Sequence, residues 1–202
     1  MIGAITRWLG AAAGWRVVGH LPDLPKYMLI GAPHTTNWDF VLFLWVMAAL
    51  RFQPTWLGKD GIFWWPAGVL WRRLGGIPVK RGARLNVVDQ VVDRFREADR
   101  MTLVMSPEGT RQHTTAWKSG FYHIARGAGV PIVPGRLDYP TRTVTIGGPI
   151  AMTGDVSRDM AEFRAFYAGA RGMYPARASD IALSAGEGSE GSPARSSRDE
   201  RA

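Results

Sequence analysis

The sequence predicts a single α/β layered domain, in which a central mixed, largely parallel sheet is flanked by helices and preceded by a short N-terminal interfacial helix. Short apolar runs of strand length alternate with stretches whose apolar residues recur at helical spacing, the pattern left by strand–helix–strand units. A length of 202 residues suits one domain with a sizeable core. No linker-like stretch interrupts the chain before Ala185, beyond which Gly, Ser and Glu dominate and large apolar side chains vanish. The domain is therefore expected over residues 1–184 and a disordered tail over residues 185–202.

Taken in order, residues 1–18 place Ile2, Ile5, Leu9 and Ala12 near one helical face, with Trp8, Trp15, Arg7 and Arg16 as companions. That composition fits a helix lying at a membrane interface, although a helix packed on the domain is an alternative and Gly3, Gly10 and Gly14 weaken either. Arg16 to Gly19 reads as a short strand, and Pro22 and Pro25 mark a turn. Tyr27 to Ile30 suits a buried strand and is broken at once by Gly31, Ala32 and Pro33. Phe40 to Leu50 is a run of eleven apolar residues. Crossing a bilayer takes about 20, so the run is read as a helix buried on most sides or facing lipid. Pro54 to Gly58 reads as a strand and Lys59 to Gly61 as a turn. Ile62 to Trp71 then runs apolar and aromatic into Arg72 and Arg73, a face suited to a membrane surface or an acyl-chain groove.

Leu74 to Gly82 holds a short strand between glycines that ends in Lys80 and Arg81. Leu85 to Ala98 spaces Leu85, Val88, Val91, Val92 and Phe95 as one helical face. Met101 to Met105 reads as a buried strand, Gln112 to Ser119 as a loop and Gly120 to Gly127 as a helix. The prolines of Val130 to Pro134 point to an edge strand or a strand start. Arg142 to Gly147 alternates as a strand does, and Asp155 to Arg171 closes the fold as an amphipathic helix.

The net charge of +8 and a pI near 10.4 call for an anionic partner: nucleic acid, phospholipid headgroups or a phosphorylated substrate. Eight of the nine tryptophans lie at or before Trp71, among apolar runs, and Trp beside basic residues is typical of a membrane–water interface. A nucleic-acid reader would interleave its aromatics with basic residues, and no signature of one is present. The absence of cysteine excludes disulfides, thiolate metal sites and a cysteine nucleophile, and fits the cytoplasm. His20, His34, His113 and His123 show none of the paired zinc spacings. The first residues, broken by Arg7 and three glycines, do not read as a signal peptide.

Three stretches place polar groups directly after an apolar strand: His34 to Asp39, Lys80 with Arg81, and Glu108 to Arg111. In open α/β sheets such groups converge on a crevice beyond the strand ends. An imidazole accepts a proton near neutral pH, and a carboxylate can fix its tautomer and stabilise the imidazolium. The bland reading of the same stretch is a helix start, capped by Thr35, Thr36 or Asn37 with Asp39 in the first turn. Positions five apart on a helix lie about 140° apart, so a His34–Asp39 contact needs His34 in the preceding loop with the chain folded back.

These residues carry a resemblance. His34 with Asp39 matches the H-x4-D motif of the glycerolipid acyltransferases, which include the 1-acyl-sn-glycerol-3-phosphate acyltransferases. Gly76 to Arg81 is similar to the second motif of that family, Pro107-Glu108-Gly109-Thr110-Arg111 to the third, and Val130 to Pro134 to the proline-centred fourth. They occur in the family's order and span residues 33–134. The chain departs from the pattern at Pro33, where Asn is common, at Ser106, where an aromatic is common, and at Lys80, often acidic.

The resemblance implies a membrane-associated enzyme on the cytoplasmic side of the cell membrane, peripheral or monotopic. It would move a fatty acyl group from acyl-CoA or acyl carrier protein to the hydroxyl of a lysophospholipid, with 1-acylglycerol-3-phosphate foremost and another lipid or glycolipid acceptor as the variant. It further implies His34 as base, Asp39 as its orienter, and Lys80, Arg81, Glu108, Gly109, Thr110 and Arg111 as the acceptor-binding set. No cofactor, metal or nucleic acid is expected. Without cysteine or a G-x-S-x-G elbow, direct transfer in a ternary complex is preferred to an acyl-enzyme. Backbone N–H groups near the helix start after Pro33 are the candidates for the oxyanion site. The contrasting class is a catalytically silent module that binds membranes or nucleic acid through its positive charge.

Overall fold

The sheet is laid around β2 (Lys26–Ala32), whose alternate residues are buried on both faces. The structure is a computed structural model that describes residues 13–79 and 84–184. Met28, Ile30 and Ala32 join one apolar cluster while Tyr27 and Leu29 join another, so this strand has no solvent face. It pairs in parallel with β5 (Met101–Met105) on one side and β6 (Ile132–Asp138) on the other, and Ile30 stands opposite both Met105 and Pro134.

Beyond β5 lie β3 (Thr55–Lys59) and β4 (Gly76–Val79), and beyond β6 lie β7 (Thr143–Ile146) and β1 (Arg16–Val18). The seven-stranded order is β1-β7-β6-β2-β5-β3-β4, with every pair parallel except β6–β7. The expected mixed, largely parallel sheet is present.

On one face, helices α3 (Arg84–Glu97), α4 (Gly120–Ala128) and α5 (Val156–Tyr167) pack Val91, Phe95, Phe121, Ile124, Met160 and Phe163 against Met28, Ile30 and Leu103. Asp155 caps α5 by accepting from the Arg158 N–H at 3.1 Å. The buried carboxylate of Asp159 ties α5 to α4: it accepts from Tyr122 Oη at 2.8 Å and from both the N–H and hydroxyl of Thr153. The opposite face is crossed by α1 (Trp38–Leu50), which sets Val46 on Tyr27, Leu29, Val133, Val144 and Ile146. The remaining helix, α2 (Ala67–Arg73), precedes β4.

Of the two readings of Val130 to Pro134, the structure supports the strand start, with β6 beginning directly after Pro131, and overturns the edge: β6 is an interior strand. Its prolines are tolerated for local reasons: Pro131 lies just before the strand, and Pro134 sits one residue beyond the β6–β7 ladder, where its carbonyl still accepts from the Gly147 N–H at 2.8 Å. The absent N–H of Pro134 therefore faces the point where β7 ends. The proposed helix over residues 1–18 lies outside the described residues up to position 12, and its last residues Arg16 to Val18 form β1. The tail at 185–202 also lies outside them.

Candidate active site

β6, β2 and β5 are adjacent and parallel, so their C-terminal ends open on one edge of the sheet. From that edge emerge Pro33 to Asn37 after β2, Ser106 to Arg111 after β5 and Tyr139 after β6. The topology thus gathers segments separated by more than a hundred residues into one crevice, as open parallel sheets do. β4 ends at the same edge with Val79; Lys80 and Arg81, the expected cations, lie outside the described residues.

His34 sits in the loop before α1 and Asp39 in the first turn of that helix. The chain folds back as the five-residue separation requires, and His34 Nδ1 meets Asp39 Oδ2 at 2.9 Å. The same oxygen accepts the backbone N–H groups of Thr35 at 2.8 Å and Thr36 at 3.0 Å. Asp39 therefore caps the segment that presents His34, so the helix start and the histidine–carboxylate pair are one construction. The second carboxylate oxygen accepts from Tyr139 Oη at 2.6 Å. Burial pushes the Asp39 carboxyl up, but His34, Tyr139 and the two backbone N–H groups outweigh it and hold the group below the usual carboxylate range. With Nδ1 engaged as donor, Nε2 is the ring nitrogen that can accept a proton.

Glu108 is not on the wall of the crevice, where a substrate contact would need it. It is 1% exposed, and its Oε2 accepts the His34 backbone N–H at 2.9 Å. The expected acceptor-binding role is thus replaced by a buried tie between the two motif loops. Burial pushes its carboxyl up to about 7, against the opposing pull of the His34 N–H and nearby charge and of the Ser179 N–H. The oxyanion expectation changes as well: the N–H groups of His34, Thr35 and Thr36 are directed at Glu108 and Asp39.

Arg111 reaches across the crevice, its guanidinium donating to Asn37 Oδ1 at 2.5 Å. Gly109 occupies the left-handed region at φ +65°, and a Cβ there would come within 2.9 Å of the Lys118 side chain. Trp117, in the stretch read as a loop, is a core residue at 1% exposure.

His34, Asn37, Gly109, Thr110 and Arg111 line a cavity of about 820 Å³. It continues between α1 and the sheet, over Leu29, Val46, Val144 and Ile146, and toward a ring cluster of Phe40, Trp56 and Trp71. The rings meet edge to face, with centroids 5.5 Å apart for Phe40–Trp56 and 5.9 Å for Phe40–Trp71. The space has a polar, cationic mouth and an apolar interior. Among the described residues no group of three or more His, Cys, Asp or Glu could hold a metal ion, and no helix is long and apolar enough to cross a membrane.

Tyr139 escaped the sequence reading, and Asn37 entered it only as a possible helix cap, not as the partner of Arg111. Tyr139 directly follows the last residue of β6, and ending that strand at Pro134 hid the position.

A parallel-sheet domain with a histidine–carboxylate pair at its strand ends, opening on a long apolar cavity, has the makings of a group-transfer enzyme for lipids. The Acyltransferase family model matches residues 18–137, and the chain belongs to that family. A 1-acyl-sn-glycerol-3-phosphate acyltransferase of Haemophilus influenzae is 30% identical over 147 residues, covering 66% of this chain and 59% of that protein. The Escherichia coli protein of the same name is 33% identical over 112 residues, 51% of this chain and 43% of its own. A human 1-acyl-sn-glycerol-3-phosphate acyltransferase alpha is 30% identical over 124 residues, 57% of this chain and 41% of its own. The chain thus spans about half the length of these relatives. The crystal structure of a 1-acyl-sn-glycerophosphate acyltransferase from Thermotoga maritima shares the fold, with a TM-score of 0.55 at 16% identity over 81% of this chain and 75% of that one. Tyr139 lies two positions beyond the matched family residues.

Proposed function

We propose that the protein transfers a fatty acyl group from an acyl thioester, acyl-CoA or acyl carrier protein, to the free hydroxyl of a lysophospholipid, foremost 1-acylglycerol-3-phosphate. The observation that carries this reading is the His34–Asp39 pair placed where the cationic mouth of the cavity meets its apolar interior. Nε2 of His34 takes the hydroxyl proton as the oxygen attacks the thioester carbonyl. Asp39 stabilises the imidazolium that forms. Collapse of the tetrahedral intermediate breaks the C–S bond, and the departing thiolate recovers the proton from Nε2. The acyl chain runs over the apolar side chains beneath α1, and Arg111 grips the acceptor phosphate, a task to which a guanidinium is suited by its paired donors. Lys80 and Arg81 supply further positive charge for the same phosphate.

The test is thioester-dependent acylation of 1-acylglycerol-3-phosphate beside an acceptor of equal chain length without phosphate. Arg111→Ala raises the KM for the phosphorylated acceptor about tenfold to a hundredfold, the worth of a charge-assisted contact, and leaves the other nearly unchanged. Equal effects on both would remove the phosphate clamp from the reading.

The surface around the cavity is suited to a membrane. Trp64 and Trp65 are 64% and 82% exposed, Val69 and Leu70 lie bare on α2, and Arg72 and Arg73 flank them. Ile62 and Trp71 of the same stretch line the cavity, so substrate would enter from the lipid side. The enzyme would then rest as a peripheral or monotopic protein on the cytoplasmic leaflet, its rings at headgroup level and its arginines on anionic lipid. Replacing Trp64 and Trp65 together by Ser lowers co-sedimentation with phosphatidylglycerol vesicles at least about tenfold. Unchanged binding would move the docking face elsewhere.

A further inference from the structure

We propose that Tyr139 is a positioning residue of the catalytic pair, its hydroxyl fixing the orientation of the Asp39 carboxylate and sharing its charge. The inference rests on the reading of His34 as base.

All three donors on the side of the helix start, His34 Nδ1 and the N–H groups of Thr35 and Thr36, converge on Oδ2. Those bonds alone leave Oδ1 unanchored, so a small rotation about the Cβ–Cγ bond would swing the carboxylate plane away from the imidazole. Tyr139 Oη, arriving from β6 on the opposite side at 2.6 Å from Oδ1, opposes that rotation.

The tyrosine is itself held. Its N–H donates to the Arg171 carbonyl at 2.9 Å, its carbonyl accepts from the Arg142 N–H at 3.1 Å, and its ring meets Trp15 edge-on with centroids 5.1 Å apart and planes at 89°. Burial, and then the adjoining Asp39 carboxylate, push the phenol far above its ordinary range, so it remains a donor wherever the enzyme works. Among the described residues, the other titratable or charged groups bonded around the pair are Glu108 beneath His34 and Arg111 on Asn37, and neither is bonded to Tyr139.

Tyr139→Phe keeps the ring and its contact with Trp15 while removing one hydroxyl. Two effects follow from the geometry. A less firmly held carboxylate orients the imidazole poorly, which lowers kcat about tenfold with both KM values within twofold. A carboxylate that no longer shares its charge with a phenol holds the imidazolium more tightly, so the acid limb of the kcat profile moves to higher pH by about half a unit to one unit.

The experiment measures the kcat profile between pH 5.5 and 9 for wild type and Tyr139→Phe, with thermal melts of both. Exchange of the His34 Nδ1–H with water is followed by NMR of histidine-labelled protein. A lowered kcat, a displaced limb and faster Nδ1–H exchange support the proposal. A lower melting temperature with kcat, limb and exchange unchanged would make Tyr139 a purely structural residue and overturn it. Exchange needs no turnover. If wild type fails to acylate any lysophospholipid, the functional reading falls while the exchange measurement still decides the role of Tyr139.

Discussion

His34→Ala lowers kcat for thioester-dependent acylation by about 10³-fold, within the range that positioned proton transfer supplies, while the melting temperature changes little. Both halves of the expectation come from the geometry. The imidazole lies at the cavity wall with Nδ1 turned to Asp39, which leaves Nε2 for the proton of the acceptor hydroxyl in the proposed reaction. The backbone contacts that hold the loop, from His34 to Glu108 and from Thr35 and Thr36 to Asp39, do not involve the ring. Asp39 behaves differently because it is both orienter and cap. In Asp39→Asn the amide NH2 can turn toward Tyr139 Oη, which accepts, and the carbonyl oxygen stays on the three donors. The loop survives without the negative charge, and kcat falls about 10²-fold. Asp39→Ala removes the cap as well and lowers stability by about 1–2 kcal/mol. Steady-state kinetics beside thermal melts separate the three variants. Retained turnover in His34→Ala would remove His34 from the role of base.

The contact between His34 and Asp39 was legible because two independent constraints act on one short stretch. A histidine that must reach a carboxylate five residues on can do so only from outside the helix, and the run from Phe40 demanded a helix there. The layered fold was legible for a similar reason, since strand runs alternate with helical faces such as Val88, Val91, Val92 and Phe95.

What sequence concealed was set by neighbours distant along the chain. Pro134 looks like an edge signal, yet β7 happens to end opposite its missing N–H, which allows an interior strand. Glu108 looks like a surface or ligand-facing charge, yet it lies under the backbone of His34, 74 residues away. Tyr139 is a hundred residues from Asp39 and joins it only because β6 and β2 are parallel neighbours. The apolar run at Ile62 to Trp71 allowed two readings, and the structure divides it: Ile62 and Trp71 face the cavity, whereas Trp64, Trp65, Val69 and Leu70 face outward.

The buried tie at Glu108 makes the stability of the whole domain depend on pH in a way that one substitution removes. An ordinary glutamate titrates near 4.5, and in the folded protein burial pushes Glu108 up to about 7. Between those two values the folded state binds more protons than the unfolded chain, so stability falls as pH rises through this window and levels off above it. The difference amounts to about 3 kcal/mol for a group this deeply buried. Glu108→Gln keeps a carbonyl acceptor for the His34 N–H and cannot titrate. Its stability should therefore lie at or below that of wild type at pH 5, where both side chains are neutral and the glutamine shape is the poorer fit. It should equal or exceed wild type at pH 8.5, where the native carboxylate is charged and buried. Urea unfolding of the two proteins from pH 5 to 8.5 measures this as a difference curve. Parallel curves would show that Glu108 does not titrate in the window. A difference that grows with pH would identify it as the buried group that couples the two motif loops to the protonation state of the protein.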